Sequence, residues 1–328
     1  MRATSHESLL AWLDTLIERS TLVAPQRVER EWLYRPVSSA AAIAFDFQRT
    51  TVSPKGYFFP ETEVLLDIER RGREVVMGEP DLAGDQLLFA IRPCDARALL
   101  VLDALLVDRP PADSYYARRR ERTTLVGLAC PQMWDGCFCT SLGSGPADAS
   151  AVDLMLYHDG DGYLVETVTD KGAALVAGVD WPEVDRPAPE PEITAEVVSV
   201  RPPDEWLAAF DEVVWQRLAD RCLSCHACTY VCPTCRCFDV RDDLTAAGPG
   251  YVHVQRLRAW DSCMSPAYRR IAGGHNPRPD TAQRLRNRFF CKFCYSPRDF
   301  CAVACVGCGR CIAACPAGVD IVEVLRGV

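Results

Sequence analysis

Two cysteine motifs near the carboxyl terminus have the spacing that holds cubane iron–sulfur clusters. The first reads Cys222-x2-Cys225-x2-Cys228-x3-Cys232-Pro233, and the second reads Cys305-x2-Cys308-x2-Cys311-x3-Cys315-Pro316. In this spacing three thiolates of a tight loop bind one cluster, whereas the fourth cysteine, just before proline, binds the other cluster. For cluster 1 the expected ligands are Cys222, Cys225, Cys228 and Cys315. For cluster 2 they are Cys305, Cys308, Cys311 and Cys232.

Zinc and inert structural cysteines are the alternative explanations for such residues. A single C-x2-C segment could belong to either class, but two complete copies of the longer motif do not arise easily by chance. We therefore predict two [4Fe–4S] clusters, and electron transfer as their chemistry. The motif leaves their reduction potentials open, because such clusters span roughly −700 to +450 mV.

A third set of cysteines follows two predicted strands of the amino-terminal half. Cys94 comes after the apolar run 87–91, and Cys130 comes directly after the run 124–129. If these strands are parallel neighbours, both thiols emerge at the carboxyl edge, where open α/β sheets bind ligands. Cys137 and Cys139 follow in one loop and complete four possible ligands. These residues predict a third [4Fe–4S] cluster, with buried inert cysteines or zinc as the alternatives.

Six further cysteines have no assigned role: Cys235, Cys237, Cys263, Cys291, Cys294 and Cys301. Cys291-x2-Cys294 with Cys301, or Cys235-x-Cys237 with Cys263, could bind another metal. They could equally pack as small apolar side chains.

Composition separates this chain from disulfide-rich and nucleic-acid-binding proteins. Its 328 residues include 18 cysteines, and the formal net charge is −9. No signal-like segment opens the sequence and no apolar run is long enough for a membrane helix, so we expect a cytoplasmic protein that binds no membrane. Cysteines at this density in the reducing cytosol indicate metal rather than disulfides. The negative charge argues against nucleic acid as a partner.

The elements that must position these cysteines fall into two predicted domains. Residues 1–180 read as an α/β domain, because two buried strands flank a helical stretch at 96–106 and a hairpin follows at 152–167. A proline-rich linker spans 181–203. Residues 204–328 read as a mostly α-helical two-cluster ferredoxin domain, since 251–260 and 282–290 look like amphipathic helices.

Catalytic and nucleotide-binding signatures are missing from the sequence. We find no dinucleotide or P-loop glycine motif, no catalytic triad and no convincing carboxylate pair. Between 266 and 298 a basic run carries eight arginines or lysines and one acid: Arg269, Arg270, Arg278, Arg284, Arg286, Arg288, Lys292, Arg298 and Asp280. This run is either a solvated helix face that balances anionic clusters or a docking surface for an acidic partner.

Together these segments resemble a known family. The resemblance is carried by residues 53–60 and 130–145, by Ile91-Arg92-Pro93-Cys94-Asp95, by Cys232-Pro233-Thr234-Cys235-Arg236-Cys237-Phe238-Asp239, by Trp260-Asp261-Ser262-Cys263-Met264 and by Cys305-Val306-Gly307-Cys308-Gly309-Arg310-Cys311. They are similar to the β subunit of cytoplasmic sulfhydrogenases, which are NAD(P)-linked [NiFe]-hydrogenases. They are also similar to the A subunit of anaerobic sulfite reductase.

The resemblance implies a non-catalytic electron-transfer subunit. Its expected partners are a flavin subunit that exchanges electrons with NAD(P)H, and the small and large subunits of a [NiFe]-hydrogenase. One alternative is the A subunit of a sulfite reductase complex, whose sirohaem lies on another chain. The other alternative is a self-sufficient sulfur or polysulfide reductase. Cys291, Cys294 and Cys301 look unusual for the family.

Overall fold

The described part of the chain forms two β-sheets with helices packed around them. The computed structural model describes residues 1–82, 84–268 and 270–327. The strands are β1 (Arg2–Ser5), β2 (Thr21–Val28), β3 (Glu31–Pro36), β4 (Thr62–Arg71), β5 (Glu74–Gly78), β6 (Gln86–Ile91), β7 (Thr123–Leu128), β8 (Leu154–Asp159), β9 (Gly162–Thr167), β10 (Phe238–Gly248) and β11 (Tyr251–Trp260).

The helices are mostly short. They are α1 (His6–Ile17), α2 (Pro93–Leu106), α3 (Ser114–Glu121), α4 (Asp170–Leu175), α5 (Pro203–Ala208), α6 (Val214–Arg221), α7 (Ala227–Tyr230), α8 (Thr281–Phe290), α9 (Ser296–Phe300), α10 (Arg310–Ala313) and α11 (Ile321–Gly327). Single 3-10 turns lie at Ala40–Ala42, Pro54–Tyr57 and Cys139–Leu142, and a π-helical turn lies at Cys291–Tyr295. Among the described residues, no helix combines the length and apolar composition needed to span a lipid bilayer.

The larger sheet contains the predicted strand–helix–strand unit at its centre. Its order is β1-β9-β8-β7-β6-β2-β3, and the strands β8, β7, β6 and β2 run parallel to one another. Helix α2 connects β6 to the parallel strand β7 through α3. The predicted hairpin is β8 and β9. Both strands that precede a cysteine therefore end at the same edge of the sheet.

Both faces of this sheet are covered by apolar side chains. Leu87 and Phe89 of β6 join the core on one face, whereas Leu88 and Ile91 join the core on the other. The pairing of β6 with β7 shifts register at Ala90, whose φ of 57° is left-handed. Such a bulge adds one residue and re-aims the chain that follows it. That chain begins α2, which carries Cys94 on its second residue.

The second sheet corrects the prediction of a mostly α-helical carboxyl-terminal domain. Residues 251–260 are strand β11, which pairs with β10 and with β4 of the amino-terminal half. The order is β10-β11-β4-β5, all antiparallel. Val252 and Val254 alternate with polar residues, and β-branched residues at period two favour a strand. The second amphipathic segment, 282–290, is helical as predicted and lies within α8.

Residues 181–202 contain no helix or strand in the structure, and parts of this segment lie along the amino-terminal half. The amide of Val184 donates to the carbonyl of Met1, and the amide of Glu192 donates to the carbonyl of Pro131. The boundaries 1–180, 181–203 and 204–328 remain a prediction. The second sheet nevertheless joins segments from both sides of that boundary, so the two halves share backbone hydrogen bonds.

Candidate metal centres

The first cysteine motif lines a cavity near the protein surface. Three thiols of the loop that leads into α7, Cys222, Cys225 and Cys228, border about 540 Å³ of empty space that is partly open to solvent. Ser224 and His226 between them have left-handed φ values of 50° and 65°. These two residues turn the backbone sharply, and the amide of Ser224 donates to Cys222 Sγ at 3.4 Å. Cys225 is exposed, so this site is accessible from outside.

The fourth thiol of this cavity comes from the other motif. Cys315 lines it opposite the first loop, and the amide of Val319 donates to Cys315 Sγ at 3.2 Å. Cys311 borders the same cavity. The structure thus brings together the four residues expected for cluster 1. It also places Cys311, which is expected to bind cluster 2, in the wall of the first cavity.

The second motif surrounds a more deeply buried site. The thiols of Cys305 and Cys311 face Cys232, which comes from the first motif, and Cys308 faces Cys232 as well. Burial raises the pKa of Cys305 to about 11 and that of Cys308 to about 12. Protonated thiols at neutral pH release their protons when a metal binds. All four residues expected for cluster 2 are therefore neighbours.

Two buried cations lie among these thiols. Arg288 of α8 and Lys292 of the π-helical turn are each 3% exposed. Lys292 Nζ donates to Cys232 Sγ at 3.3 Å, and Arg288 donates to the carbonyl of Cys228 at 3.1 Å. Burial disfavours both charges, but the neighbouring sulfur atoms raise the pKa of Arg288 and of Lys292 above their ordinary values.

These cations test whether the sites fit anionic clusters. Within the described residues, neither Arg288 nor Lys292 has a carboxylate at ion-pair distance, and Arg288 Nε is buried without a hydrogen-bond partner. A buried charge needs a compensating charge close by. Among the described residues, the acidic groups that act most strongly on these two cations are thiols, which supply that charge when they bind iron. The residues present therefore fit thiolate-bound clusters.

Some side chains of the basic run are buried in the protein, and others are exposed to solvent. Arg284, Arg288 and Lys292, spaced four residues apart, are buried on one face of α8 and of the turn after it. Arg270 and Arg298 are exposed, whereas Arg278 and Arg286 are half-buried. Arg269 lies outside the described residues. The buried members balance the cluster sites as the sequence interpretation allowed, but they do so from the protein interior rather than from a solvated face.

Lys55 is a site residue that sequence reasoning did not single out. It is 3% exposed, and its Nζ donates to the carbonyls of Cys232 and Cys235 at 3.2 and 2.8 Å. The ammonium also lies 3.7 Å from the centre of the Trp260 ring. Burial lowers its pKa. The sequence feature that could have identified Lys55 is its position as the one charged residue of the segment Ser53-Pro54-Lys55-Gly56-Tyr57.

A second cavity lies at the carboxyl edge of the larger sheet. It encloses about 390 Å³ of empty space, and its walls include all four cysteines of the amino-terminal set: Cys94, Cys130, Cys137 and Cys139. Arg92, Arg49 and Cys308 of the second motif also line it. Burial raises the pKa of Cys130 to about 12 and of Cys139 to about 11. The structure therefore brings these four thiols to one place.

Three of the six unassigned cysteines, Cys235, Cys237 and Cys263, lie near one another. Cys235 is hydrogen-bonded to the thiol of Cys232, and Cys237 to that of Cys263. Cys294 is fully buried in the carboxyl-terminal core, whereas Cys301 is exposed. Across the described part of the chain, no three His, Cys, Asp or Glu side chains close around the position of one metal ion. The interpretation of Cys291, Cys294 and Cys301 as another metal site gains no support.

Comparison with known proteins places these features in context. A family model described as a 4Fe–4S dicluster domain matches residues 221–319. Sulfhydrogenase 2 subunit beta of Pyrococcus furiosus is 34% identical over 334 aligned residues, which cover 97% of this chain and 95% of that protein. No solved structure matches the chain. The dicluster domain implies two [4Fe–4S] clusters within the region that holds both cysteine motifs.

Proposed function

The chain belongs to the family of sulfhydrogenase β subunits, and from this membership we propose that it relays electrons between an NAD(P)H-oxidising flavin subunit and a [NiFe]-hydrogenase module. The proposed ligands of cluster 1 are Cys222, Cys225, Cys228 and Cys315. Those of cluster 2 are Cys305, Cys308, Cys311 and Cys232. When bound, the clusters supply reversible one-electron chemistry at potentials that the protein environment sets.

One observation carries this proposal: each motif contributes a thiol to the site of the other. Cys315 lines the cavity of the first motif, and Cys232 faces the thiols of the second. Crossed ligands hold two clusters close together, which a relay requires. Cys311 also borders the first cavity, so a covalent ligand of the second site reaches the wall of the first.

The protein's own side chains set the electrostatics of the relay. Arg288 lies beside Cys228 and Cys311, whereas Lys292 lies beside Cys232 and Cys305. Positive charge in a dry interior stabilises the more negative, reduced state of a cluster. These two residues therefore keep both sites reducible although burial alone would disfavour added negative charge.

The exposed end of the relay is the site of the first motif. Cys225 is exposed, and the adjacent Leu223 has 67% of its surface accessible. Electron transfer falls steeply with distance, so a partner's cofactor docks most effectively at this end. The flavin subunit and the small and large hydrogenase subunits are the proposed partners, and the cytoplasm is the proposed location. In this proposal the chain carries electrons and catalysis belongs to those partners.

Co-purification tests the proposal. The chain, tagged and expressed from its native locus, is isolated without oxygen, and the bound proteins are analysed for nickel, flavin and sirohaem. We expect nickel and flavin, and we expect NAD(P)H to bleach the cluster absorbance only while the flavin protein is present. A sirohaem protein in place of nickel would instead make the chain a sulfite reductase subunit. Reduction of polysulfide by the isolated chain would overturn the relay.

A further inference from the structure

We propose that Cys94, Cys130, Cys137 and Cys139 bind a third [4Fe–4S] cluster, and that this cluster exchanges electrons with cluster 2 through the backbone of Cys308. The metal site stands on the geometry of the second cavity. Its role in electron transfer rests on the proposed relay function.

The fold delivers these four thiols from three separate segments. Cys94 lies in the first turn of α2, just beyond the bulge that ends β6, and Cys130 lies two residues after β7. Because β6 and β7 are parallel neighbours, their carboxyl ends meet at one edge. Cys137 and Cys139 come from the loop that covers this edge. The amide of Cys130 donates to the carbonyl of Pro146, which fixes the far side of the cavity.

The chemical composition of the cavity selects a thiolate-bound, anionic group. Its lining contains sulfur ligands and arginines but no His, Asp or Glu among the described residues. Arg49 donates to Cys137 Sγ at 3.5 Å. Soft thiolates without oxygen ligands favour iron–sulfur clusters or zinc over magnesium or calcium. Four thiols spread around the walls of a cavity suit a cubane better than a single zinc ion, whose thiolate ligands lie at about 2.3 Å from the metal.

Arg92 provides an independent reason for an anion in this cavity. It is 2% exposed, and its guanidinium donates to the carbonyls of Phe47, Gln48, Leu128 and Ala129. Within the described residues it has no carboxylate at ion-pair distance. Carbonyls satisfy its hydrogen bonds, and its guanidinium carbon lies 4.1 and 5.1 Å from the ring centres of Phe47 and Trp134. None of these groups carries a full negative charge, and a buried charge without such a partner is costly in a protein interior. A net-negative cluster a few ångströms away would balance it.

Direct contacts connect this cavity with the second cysteine motif. The thiol of Cys137 lies 3.9 Å from the carbonyl oxygen of Cys308, and the amide of Phe138 donates to the carbonyl of Gly307 at 2.8 Å. Cys308 itself lines the cavity. One residue is thus both a proposed ligand of cluster 2 and part of the wall of the third site. This juxtaposition supplies a short path between two redox centres, with one through-space contact of 3.9 Å between Cys137 Sγ and the carbonyl oxygen of Cys308.

The third site also has its own approach from solvent. Gln132 in the cavity wall and Asp135 and Gly136 in the covering loop are exposed. The first site opens to solvent at Cys225, whereas Cys232 and Cys308 of the second site are buried. The second motif contributes Cys311 to the wall of the first cavity and Cys308 to the wall of the third site, so the buried site adjoins two sites that are each open to solvent. A relay between two different partners needs two such open sites.

Metal analysis of the complete complex, purified without oxygen, tests the site. Iron, acid-labile sulfide and zinc per chain are compared in wild type, in a Cys94→Ala/Cys130→Ala double variant and in a Cys301→Ser control, which alters an exposed cysteine outside all three sites. The complex is analysed with the metal it acquired in the cell, and recombinant chain that has been unfolded and reconstituted is not used. We expect the double variant to lose about four irons and four sulfides, one cubane, relative to both other proteins.

A second readout keeps the test decisive if the double variant does not fold. Electron paramagnetic resonance of the dithionite-reduced wild-type chain, freed of its partners by salt, should integrate to three interacting cubane spins. Two spins, or zinc in the amino-terminal cavity, would overturn the third cluster and leave the two-cluster relay intact. Fewer than two spins would overturn the proposed function itself, so the two failures are distinguishable.

Discussion

Arg310 and Asp95 form a two-pronged ion pair in the protein interior, with both nitrogen–oxygen distances at 2.7 Å. Their side chains are 2% and 1% exposed. Asp95 follows Cys94, and Arg310 lies between Cys308 and Cys311, so the pair joins the amino-terminal cysteine set to the second motif. Arg310 Nε also donates to the carbonyl of Thr50 at 2.8 Å, and Arg310 Nη2 donates to the Thr50 hydroxyl at 3.1 Å.

Removing one partner of this pair should destabilise the protein strongly. In Asp95→Asn the buried guanidinium of Arg310 loses its carboxylate partner, and breaking a buried ion pair in this way costs about 3–5 kcal/mol. We expect a correspondingly lower temperature of thermal unfolding, measured by circular dichroism without oxygen. Glu323→Gln is the matched control, because the Glu323–Arg221 pair is exposed and such pairs contribute less than about 1 kcal/mol. Equal effects of the two changes would contradict this account.

Crossed ligation can be tested with serine variants. If Cys315 binds the cluster of the first motif, Cys315→Ser should perturb the same resonance signal as Cys222→Ser. By the same reasoning Cys232→Ser should perturb the signal that Cys305→Ser perturbs. Each change exchanges one thiolate for a weaker oxygen ligand and should lower iron by up to about four atoms per chain. Electron paramagnetic resonance of the reduced variants provides the measurement. The opposite grouping of signals would show that each motif binds its own cluster.

Gly307→Ala should destabilise the protein, because the close packing at Gly307 leaves no space for a methyl group. Its φ is 65°, and an added Cβ would lie 2.5 Å from the amide nitrogen of Cys139 and 2.6 Å from the carbonyl carbon of Phe138. Gly307→Ala should therefore push the two cysteine loops apart. Gly318→Ala is a matched control, since Gly318 has a φ of 62° but nothing within 4 Å of the added atom.

Both glycine variants share the backbone penalty of about 1 kcal/mol for alanine at positive φ. Only Gly307→Ala adds a steric clash with backbone, so its unfolding temperature should fall clearly further than that of Gly318→Ala. The same variant should weaken any magnetic coupling between the amino-terminal site and cluster 2. Indistinguishable unfolding temperatures would show that the loops separate without cost.

Lys292 should raise the reduction potential of cluster 2. Its ammonium donates to Cys232 Sγ at 3.3 Å and to the carbonyl of Ala304 at 2.8 Å. A hydrogen bond to a charged group is worth about 1.5–3 kcal/mol. Since about 1.4 kcal/mol corresponds to 59 mV in a one-electron couple, Lys292→Met should lower the potential by about 60–130 mV.

A redox titration followed by electron paramagnetic resonance measures this shift. Lys292→Arg keeps the charge and should restore most of the potential, whereas Lys171→Met removes an exposed lysine outside all three sites and should leave it unchanged. A Lys292→Met potential equal to that of wild type would mean that solvent or other groups screen the ammonium from the cluster.

Local patterns in the sequence were sufficient to predict the parts of this protein that depend on short-range geometry. The spacing within each cysteine motif fixes how three thiols of one loop can face one centre, and the apolar runs before Cys94 and Cys130 indicated the parallel strands β6 and β7. Apolar and polar side chains also alternate with period two in 251–260, but a helix was predicted there. That prediction was wrong, because strand β11 is completed by pairing with β4, some 190 residues away.

Whether the charged side chains of the basic run are buried or exposed was decided by the tertiary structure. The sequence showed Arg288 and Lys292 in a basic run but could not say whether they face water. The fold buries them because the other faces of α8 and its π-helical turn pack against aromatic residues such as Trp206 and Trp215.

By itself, then, the sequence determined the ligand-bearing loops, because their geometry depends on neighbours a few residues apart. The tertiary structure decided which loops meet: Cys315 with the first motif, Cys308 with the amino-terminal cavity, and Arg310 with Asp95. Such contacts join residues up to 215 positions apart. Their pairing is set by how the two sheets and the carboxyl-terminal core pack together, which no local pattern encodes.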